Sequence, residues 1–181
     1  LREGQMIIGW THPTGSGTDF YQNVAKKKNL RIVDLDNIYP TAHQGDKHIP
    51  ITFIEKNFIW KNSFYAGIAS VQHALLTFGL LPISDAKVAV LANGSVSQGA
   101  YNYISKYIVD VRMFYRKTMQ EFYDSIGEYD IIINGIEVDG SVKHIITKED
   151  LKRVKKGCLL IDSAADAGNA IEGTHYTSIA E

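Results

Sequence analysis

Short apolar runs alternate with longer amphipathic or polar stretches along the chain, and the period of each run indicates the element it forms. Met6-Ile7-Ile8-Gly9-Trp10 has the length of a strand. The turn-rich loop Thr11-His12-Pro13-Thr14-Gly15-Ser16-Gly17 follows it. Asp19 to Lys28 predicts a helix with Phe20 and Val24 on one face, and Leu30 to Leu35 predicts a second strand. Residues 36–50 hold Pro40, Gly45 and Pro50 among many polar groups and predict an irregular connection, with a further short strand at Ile51 to Ile54. Phe64, Ile68, Val71, Leu75 and Phe78 recur at helical spacing, giving a long amphipathic helix stopped by Gly79 and Pro82.

From residue 87 the period changes. Lys87 to Ala92 reads as a strand, Asn93-Gly94-Ser95 as a turn, and Ser97 to Tyr107 as a helix with Ala100, Ile104 and Tyr107 on one side. Val109 to Tyr115, Asp130 to Asn134 and Cys158 to Asp162 read as three more strands. Thr118 and Glu121, like Thr147 and Asp150, have the spacing of a capping box that opens a helix, and Gly157 closes the second of these. Continuous apolar strands alternating with helices predict an α/β fold whose parallel sheet is covered on both faces.

Composition changes this picture little. The 181 residues are 45% hydrophobic and 22% charged, with net charge −1, so no broad basic field points to nucleic acid or to a membrane surface. No apolar run reaches the length of a membrane helix. The single cysteine, Cys158, excludes a disulfide framework and suits a reducing cytoplasmic compartment. Leu1 to Gln5 resembles neither a signal peptide nor a natural start, so the chain is expected to be a fragment of a longer protein.

The chemistry concentrates at turns that follow strands. Val88 to Leu91 runs into Ala92-Asn93-Gly94-Ser95-Val96-Ser97, where a dinucleotide fingerprint would read G-x-G-x-x-G. Only the middle glycine is kept, and Ala92 and Ser97 stand for the outer two. An ordinary strand–turn–helix junction would look similar. However, all four strands from residue 87 onward end in small or polar turns, which in a parallel sheet share the carboxyl edge where ligands bind. The candidate cofactor residues are therefore Ala92, Asn93, Gly94, Ser95 and Val96, with Asn134 and Gly135 from the third turn. Where an NAD site carries an acid for the ribose 2′-hydroxyl, this chain has Tyr115-Arg116-Lys117-Thr118. Two cations and a hydroxyl suit a 2′-phosphate, so Arg116 and Lys117 predict NADP rather than NAD.

Several segments resemble the alanine dehydrogenase and pyridine nucleotide transhydrogenase family. They are Glu3-Gly4-Gln5, Gly9-Trp10-Thr11-His12-Pro13, Phe64-Tyr65-Ala66-Gly67, Leu91-Ala92-Asn93-Gly94 and Asp162 to Gly168. The Tyr65-Ala66-Gly67 helix start is similar to the saccharopine dehydrogenase branch, and Asn134-Gly135-Ile136-Glu137 with Ala164 to His175 to a branch that makes N-(carboxyethyl)amino acids. The resemblance implies a Rossmann-type NADP-binding domain at 82–181, a linking helix at 66–81 and part of a catalytic domain at 1–65. It also implies an oxidoreductase that uses NADPH to condense pyruvate reductively with the side-chain amine of ornithine or lysine. His12 matches the family's catalytic histidine and Asp166 its aspartate beyond the last strand. Without the resemblance, His12 would read as a structural loop histidine and Asp166 as a turn former.

Saccharopine or alanine dehydrogenase chemistry, and a nucleotide-binding module without chemistry, are the competing readings. The residues that would grip the amino acid lie largely outside the chain, so it is expected to bind cofactor without turning over. The strands of 1–65 are expected to bury their apolar edges on a partner chain, giving a homo-oligomer. His43 and His48 flank Asp46, but solvated loop histidines are far commoner than such a metal site, and none is expected.

Overall fold

Strands buried on both faces have no polar alternation to display. The runs Val88-Ala89-Val90-Leu91 and Ile131-Ile132-Ile133 occupy the two central positions of a parallel sheet. The computed structural model describes residues 1–13, 17–35, 41–51, 58–79, 85–138, 143–164 and 170–175. The chain divides into two compact units, Leu1–Trp60 and Lys61–Glu181.

In the first unit, β1 (Met6–Gly9) pairs in parallel with β2 (Arg31–Asp34), placing Gly9 opposite Asp34. The crossover is α1 (Thr18–Phe20), which continues as a π-helical turn over Tyr21–Ala25, where the sequence predicts one regular helix to Lys28. Alternate residues Met6, Ile8 and Val33 are exposed, Ile8 at 62%, so this pair has one uncovered apolar face within its unit. Residues 41–50 correct the expectation of an irregular connection. There β3 (Thr41–Gln44) and β4 (Lys47–Pro50) form an antiparallel hairpin in which His43 faces His48. Gly45, at φ +60°, supplies the left-handed first position that a two-residue hairpin turn needs. All its residues are exposed, so no hydrophobic period marks it in the sequence. The strand expected at Ile51 to Ile54 lies, beyond Ile51, outside the described residues.

The second unit begins within α2 (Phe58–Phe78) and is built on four parallel strands. These are β5 (Lys87–Leu91), β6 (Asp110–Phe114), β7 (Ile131–Asn134) and β8 (Leu159–Asp162), in the spatial order β6-β5-β7-β8. The sheet runs outward from β5 to β6 and then in the opposite direction to β7 and β8. The strand order therefore reverses between β5 and β7, which marks a topological switch point. On one face, Val88, Val90, Ile131, Ile133 and Ile161 pack with Val71 and Leu75 of α2 and with Ala100 and Ile104 of α3 (Ser95–Ile104). On the other face, Ala89, Leu91 and Ile132 pack with Phe114, Ile146, Ile171 and Phe122 of α4 (Met119–Ser125). The predicted faces of α2 and α3 hold except at their ends. Phe78, the last residue of α2, is exposed, and Tyr107, also exposed, lies beyond the end of α3, which stops at Ile104 rather than at Tyr107.

Capping separates the two S/T-x-x-acid segments. Thr147 forms a reciprocal capping box with Asp150 at the start of α5 (Lys148–Leu151). Thr118 does not cap α4. Its hydroxyl closes the preceding turn onto Tyr115, and Glu121 pairs with Arg112 of β6 instead.

Helices α2 and α3 touch backbone to backbone. A Cβ at Gly67 would overlap the Val96 carbonyl oxygen, and one at Gly99 would overlap that of Phe64. Both neighbours are helix backbone and cannot rotate away, so Gly67→Ala or Gly99→Ala has to push the helices apart. Each substitution should cost about 1–3 kcal/mol, several degrees in Tm. A change within the error of thermal unfolding would show that the helices do not meet at these glycines. Cys158 provides a second test. Burial pushes its thiol up to about 11, helped by the charge of Asp130. Iodoacetamide should label native protein slowly at pH 7.5 and faster as the pH approaches that value, since only the thiolate reacts. Rapid labelling of the native state at pH 7.5, read by mass spectrometry, would contradict it.

Candidate functional site

The turn after β5 sits at the switch point and is shaped by what its residues lack. Gly94 is the N-cap of α3 at φ −67° and ψ 175°, a conformation open to any residue, and a Cβ there would meet nothing within 4 Å. Neither backbone torsion nor packing requires glycine at this position, whose missing side chain leaves the helix N-terminus uncovered. Among the described residues no side chain caps α3, and its first internal bond is Gln98 N to Gly94 O at 2.9 Å. The preceding N–H groups of the first turn thus have no intrahelical acceptor, the arrangement that attracts an anion.

The two replaced fingerprint positions behave differently. Ala92 has φ +74°, a left-handed conformation that favours glycine, so alanine is tolerated there at some cost. Its N–H donates to Phe114 O at 2.6 Å, tying the turn to the end of β6. Ser97 is fully buried and donates to Leu91 O at 2.7 Å. A Cβ at Gly135 would overlap its hydroxyl oxygen. The close helix–sheet approach that a third glycine would normally provide is therefore secured by Gly135, across on the end of β7. Asn93 and Gly94 are exposed and Ser95 and Val96 half-buried, so all four lie at the rim of this turn.

Beyond β6, Arg116 and Lys117 form the tip of a tight turn. Thr118 N donates to Tyr115 O at 2.7 Å, and the Thr118 hydroxyl bonds to Tyr115 N and O at 3.1 and 3.2 Å. The hydroxyl expected to join the two cations in holding a phosphate thus closes their turn. Both cations are exposed, and among the described residues no carboxylate pairs with either. Arg112, by contrast, is engaged with Glu121 and stacks 4.8 Å over the Phe114 ring.

Asn134 is completely buried, and its amide braces the carboxyl edge. Its Nδ2 donates to Asp162 Oδ1 at 2.9 Å and to Ile136 O at 3.1 Å, while Oδ1 accepts from Ile136 N at 3.1 Å. Ser163 N donates to Asn134 O at 2.8 Å, and the Ser163 hydroxyl meets that of Ser70 on α2 at 2.7 Å. Sequence reasoning missed Ser70, since a serine within a helix carries no signal for a partner 93 residues away. Asp166 lies outside the described residues.

His12 belongs to the first unit, in the loop that leaves β1. It is half-buried, has φ +41°, and its carbonyl accepts from Gly17 N at 3.0 Å. The residue before it, Thr11, donates from both N and Oγ1 to Asp34 Oδ1, at 3.1 and 3.2 Å. His43 and His48 form an exposed edge-to-face pair with ring centroids 4.6 Å apart. Among the described residues no group of three or more His, Cys, Asp or Glu side chains could hold a metal ion.

Comparison with known proteins places this geometry. N(5)-(carboxyethyl)ornithine synthase of Clostridium botulinum is 54% identical over 181 residues, covering 100% of this chain and 57% of its own. The protein of that name from Lactococcus lactis subsp. lactis is 52% identical over 179 residues, covering 99% of this chain and 57% of its own. The chain therefore spans a little over half the length of these curated relatives. Among solved structures, a dipicolinate synthase chain from Bacillus halodurans superposes with a TM-score of 0.56 at 14% identity, over 92% of this chain and 52% of that one. That likeness shows a shared fold. The family model for the alanine dehydrogenase/PNT C-terminal domain matches residues 64–181, which take in α2 from Phe64 onward, the glycine turn and all four strands of the β6-β5-β7-β8 sheet. The chain thus belongs to the alanine dehydrogenase/PNT family.

Proposed function

We propose that the whole protein is an NADPH-dependent oxidoreductase that joins pyruvate to the side-chain amine of ornithine and reduces the imine to an N-(carboxyethyl)amino acid. The relatives' shared name supports this product. The observation that carries the cofactor assignment is the pair Arg116–Lys117, exposed and, among the described residues, without a carboxylate partner, on a turn whose strand is tied to the glycine turn through Ala92 N and Phe114 O. The residues present fit a dinucleotide. Gly94 and the uncapped first turn of α3 would face a pyrophosphate, and Arg116 and Lys117 a 2′-phosphate, with no acid there to favour a free ribose hydroxyl. When bound, NADPH supplies the hydride.

The remaining work falls to the chain's own side chains. His12 is the acid–base group. It would take a proton from the ornithine side-chain ammonium, freeing the amine's lone pair to attack the pyruvate carbonyl, and return that proton to the carbinolamine hydroxyl, so that water leaves and the protonated imine forms. Asp166, which follows β8 in the sequence, would be the carboxylate that meets the substrate amine. In this reading the first unit is part of the substrate domain and the second is the cofactor domain. Substrate turnover needs both, together with the rest of the protein, in a homo-oligomer that covers the apolar face of Met6, Ile8 and Val33.

Two outcomes test this reading on the full-length protein. Arg116→Asp should weaken NADPH binding by about 1.5–3 kcal/mol, the worth of a charge-assisted contact, and should spare or improve NADH binding. Equal wild-type affinity for the two cofactors in a fluorescence titration would defeat the assignment. His12→Ala should lower turnover of pyruvate plus ornithine about 10²-fold or more with NADPH affinity unchanged. Near wild-type turnover would make His12 a structural residue.

A further inference from the structure

The His12 loop is held at both ends by contacts that the acid–base role does not itself require. On the far side, Gly17 N donates to His12 O at 3.0 Å, and the Thr18 hydroxyl donates to Pro13 O at 3.2 Å. Gly17 lies so close that a Cβ there would overlap the Thr11 carbonyl oxygen. On the near side, a single carboxylate oxygen, Asp34 Oδ1, accepts from both Thr11 N and Thr11 Oγ1, at 3.1 and 3.2 Å. Asp34 is the last residue of β2 and registers opposite Gly9, the last of β1. The chain leaving β1 is therefore fixed against the neighbouring strand two residues after its own ladder ends. His12, the next residue, has φ +41°, a conformation that a non-glycine residue keeps only where its surroundings enforce it.

Resting on the reading of His12 as the acid–base group, we propose that Asp34 is a positioning residue for this reaction. By clamping Thr11, it holds His12 in its left-handed conformation and so sets where the imidazole is presented. Asp34 acts through the backbone of Thr11. Both bonds from Thr11 fall on one oxygen, and the amide oxygen of asparagine can accept both, without the charge assistance of a carboxylate.

The test uses full-length protein and the variants Asp34→Ala, Asp34→Asn and His12→Ala, plus Asp34→Ala combined with His12→Ala. Asp34→Ala should lower kcat by roughly 10- to 100-fold, the scale of a small misplacement of a reacting group, with the NADPH dissociation constant within about twofold of wild type, as a general loss of structure would not allow. Asp34→Asn should restore most of that loss. In the His12→Ala background, Asp34→Ala should cost almost nothing further, because the group it positions has gone. Independently of turnover, the His12 Hε1 resonance in cofactor-free protein should move in Asp34→Ala and return towards its wild-type position in Asp34→Asn. If Asp34→Ala does not fold, Thr11→Val, which removes one of the two bonds, should shift the same resonance. An equal loss in both backgrounds, or Asp34→Asn as impaired as Asp34→Ala, would overturn the proposal. So would an unmoved His12 resonance, whatever turnover His12→Ala retains. The catalytic reading itself stands or falls on the turnover of His12→Ala alone.

Discussion

Helix α3 is held at backbone distance from two neighbours at once, and the second unit is arranged around that constraint. Gly99 admits the Phe64 carbonyl and Gly67 that of Val96, so α2 and α3 meet without intervening side chains. On the opposite side Ser97 lies against Gly135 and bonds to Leu91 O. Close packing of this kind leaves no compliant layer to absorb an added methyl group. The start of α3 is consequently fixed relative to β5 and β7, and so is the direction in which its free N–H groups point.

The position of the candidate cofactor site follows from this packing and from the sheet order. The chain runs from β5 outward to β6 and then crosses back from β6 to β7 on the other side of β5, which opens a crevice over the carboxyl end of β5. Gly94 keeps that crevice clear, and Ala92 links it to β6 through Phe114 O. Asn134 braces the other flank by engaging Ile136 and Asp162 with its whole amide. An amide suits this position because it can donate and accept at once, which neither a carboxylate nor an apolar group can do. The departure from the usual glycine fingerprint thus falls into two kinds. At Ala92 the left-handed backbone is retained with an alanine, and at Ser97 the close approach is retained by moving the glycine to the facing strand.

The turn at Arg116 and Lys117 and the loop at His12 share a design. In each, a hydroxyl or carboxylate oxygen binds the backbone beside the candidate residue. Thr118 closes onto Tyr115, and Asp34 holds Thr11. Rigid presentation of a small number of polar groups lowers the entropy lost when a ligand binds.

The sequence by itself determined the α/β class, the four strands of the parallel sheet and the turn in which the glycine lies. Period and run length are local quantities, and a strand buried on both faces must be apolar throughout. It also exposed the missing acid after β6, since the spacing from glycine turn to strand end is short and regular. It did not reveal the β3–β4 hairpin, which buries nothing and so leaves no hydrophobic period. Nor could it separate Thr118 from Thr147, because the same spacing forms a capping box only when no competing partner is nearby. At Thr118 the Tyr115 backbone and Arg112 were nearer. Tertiary structure alone decided which glycines admit a neighbouring backbone, that Ser97 is matched by Gly135, and that Asp34 meets Thr11 across 23 residues of sequence. Each of these depends on two distant segments arriving at the same place, and only the folded chain fixes that encounter.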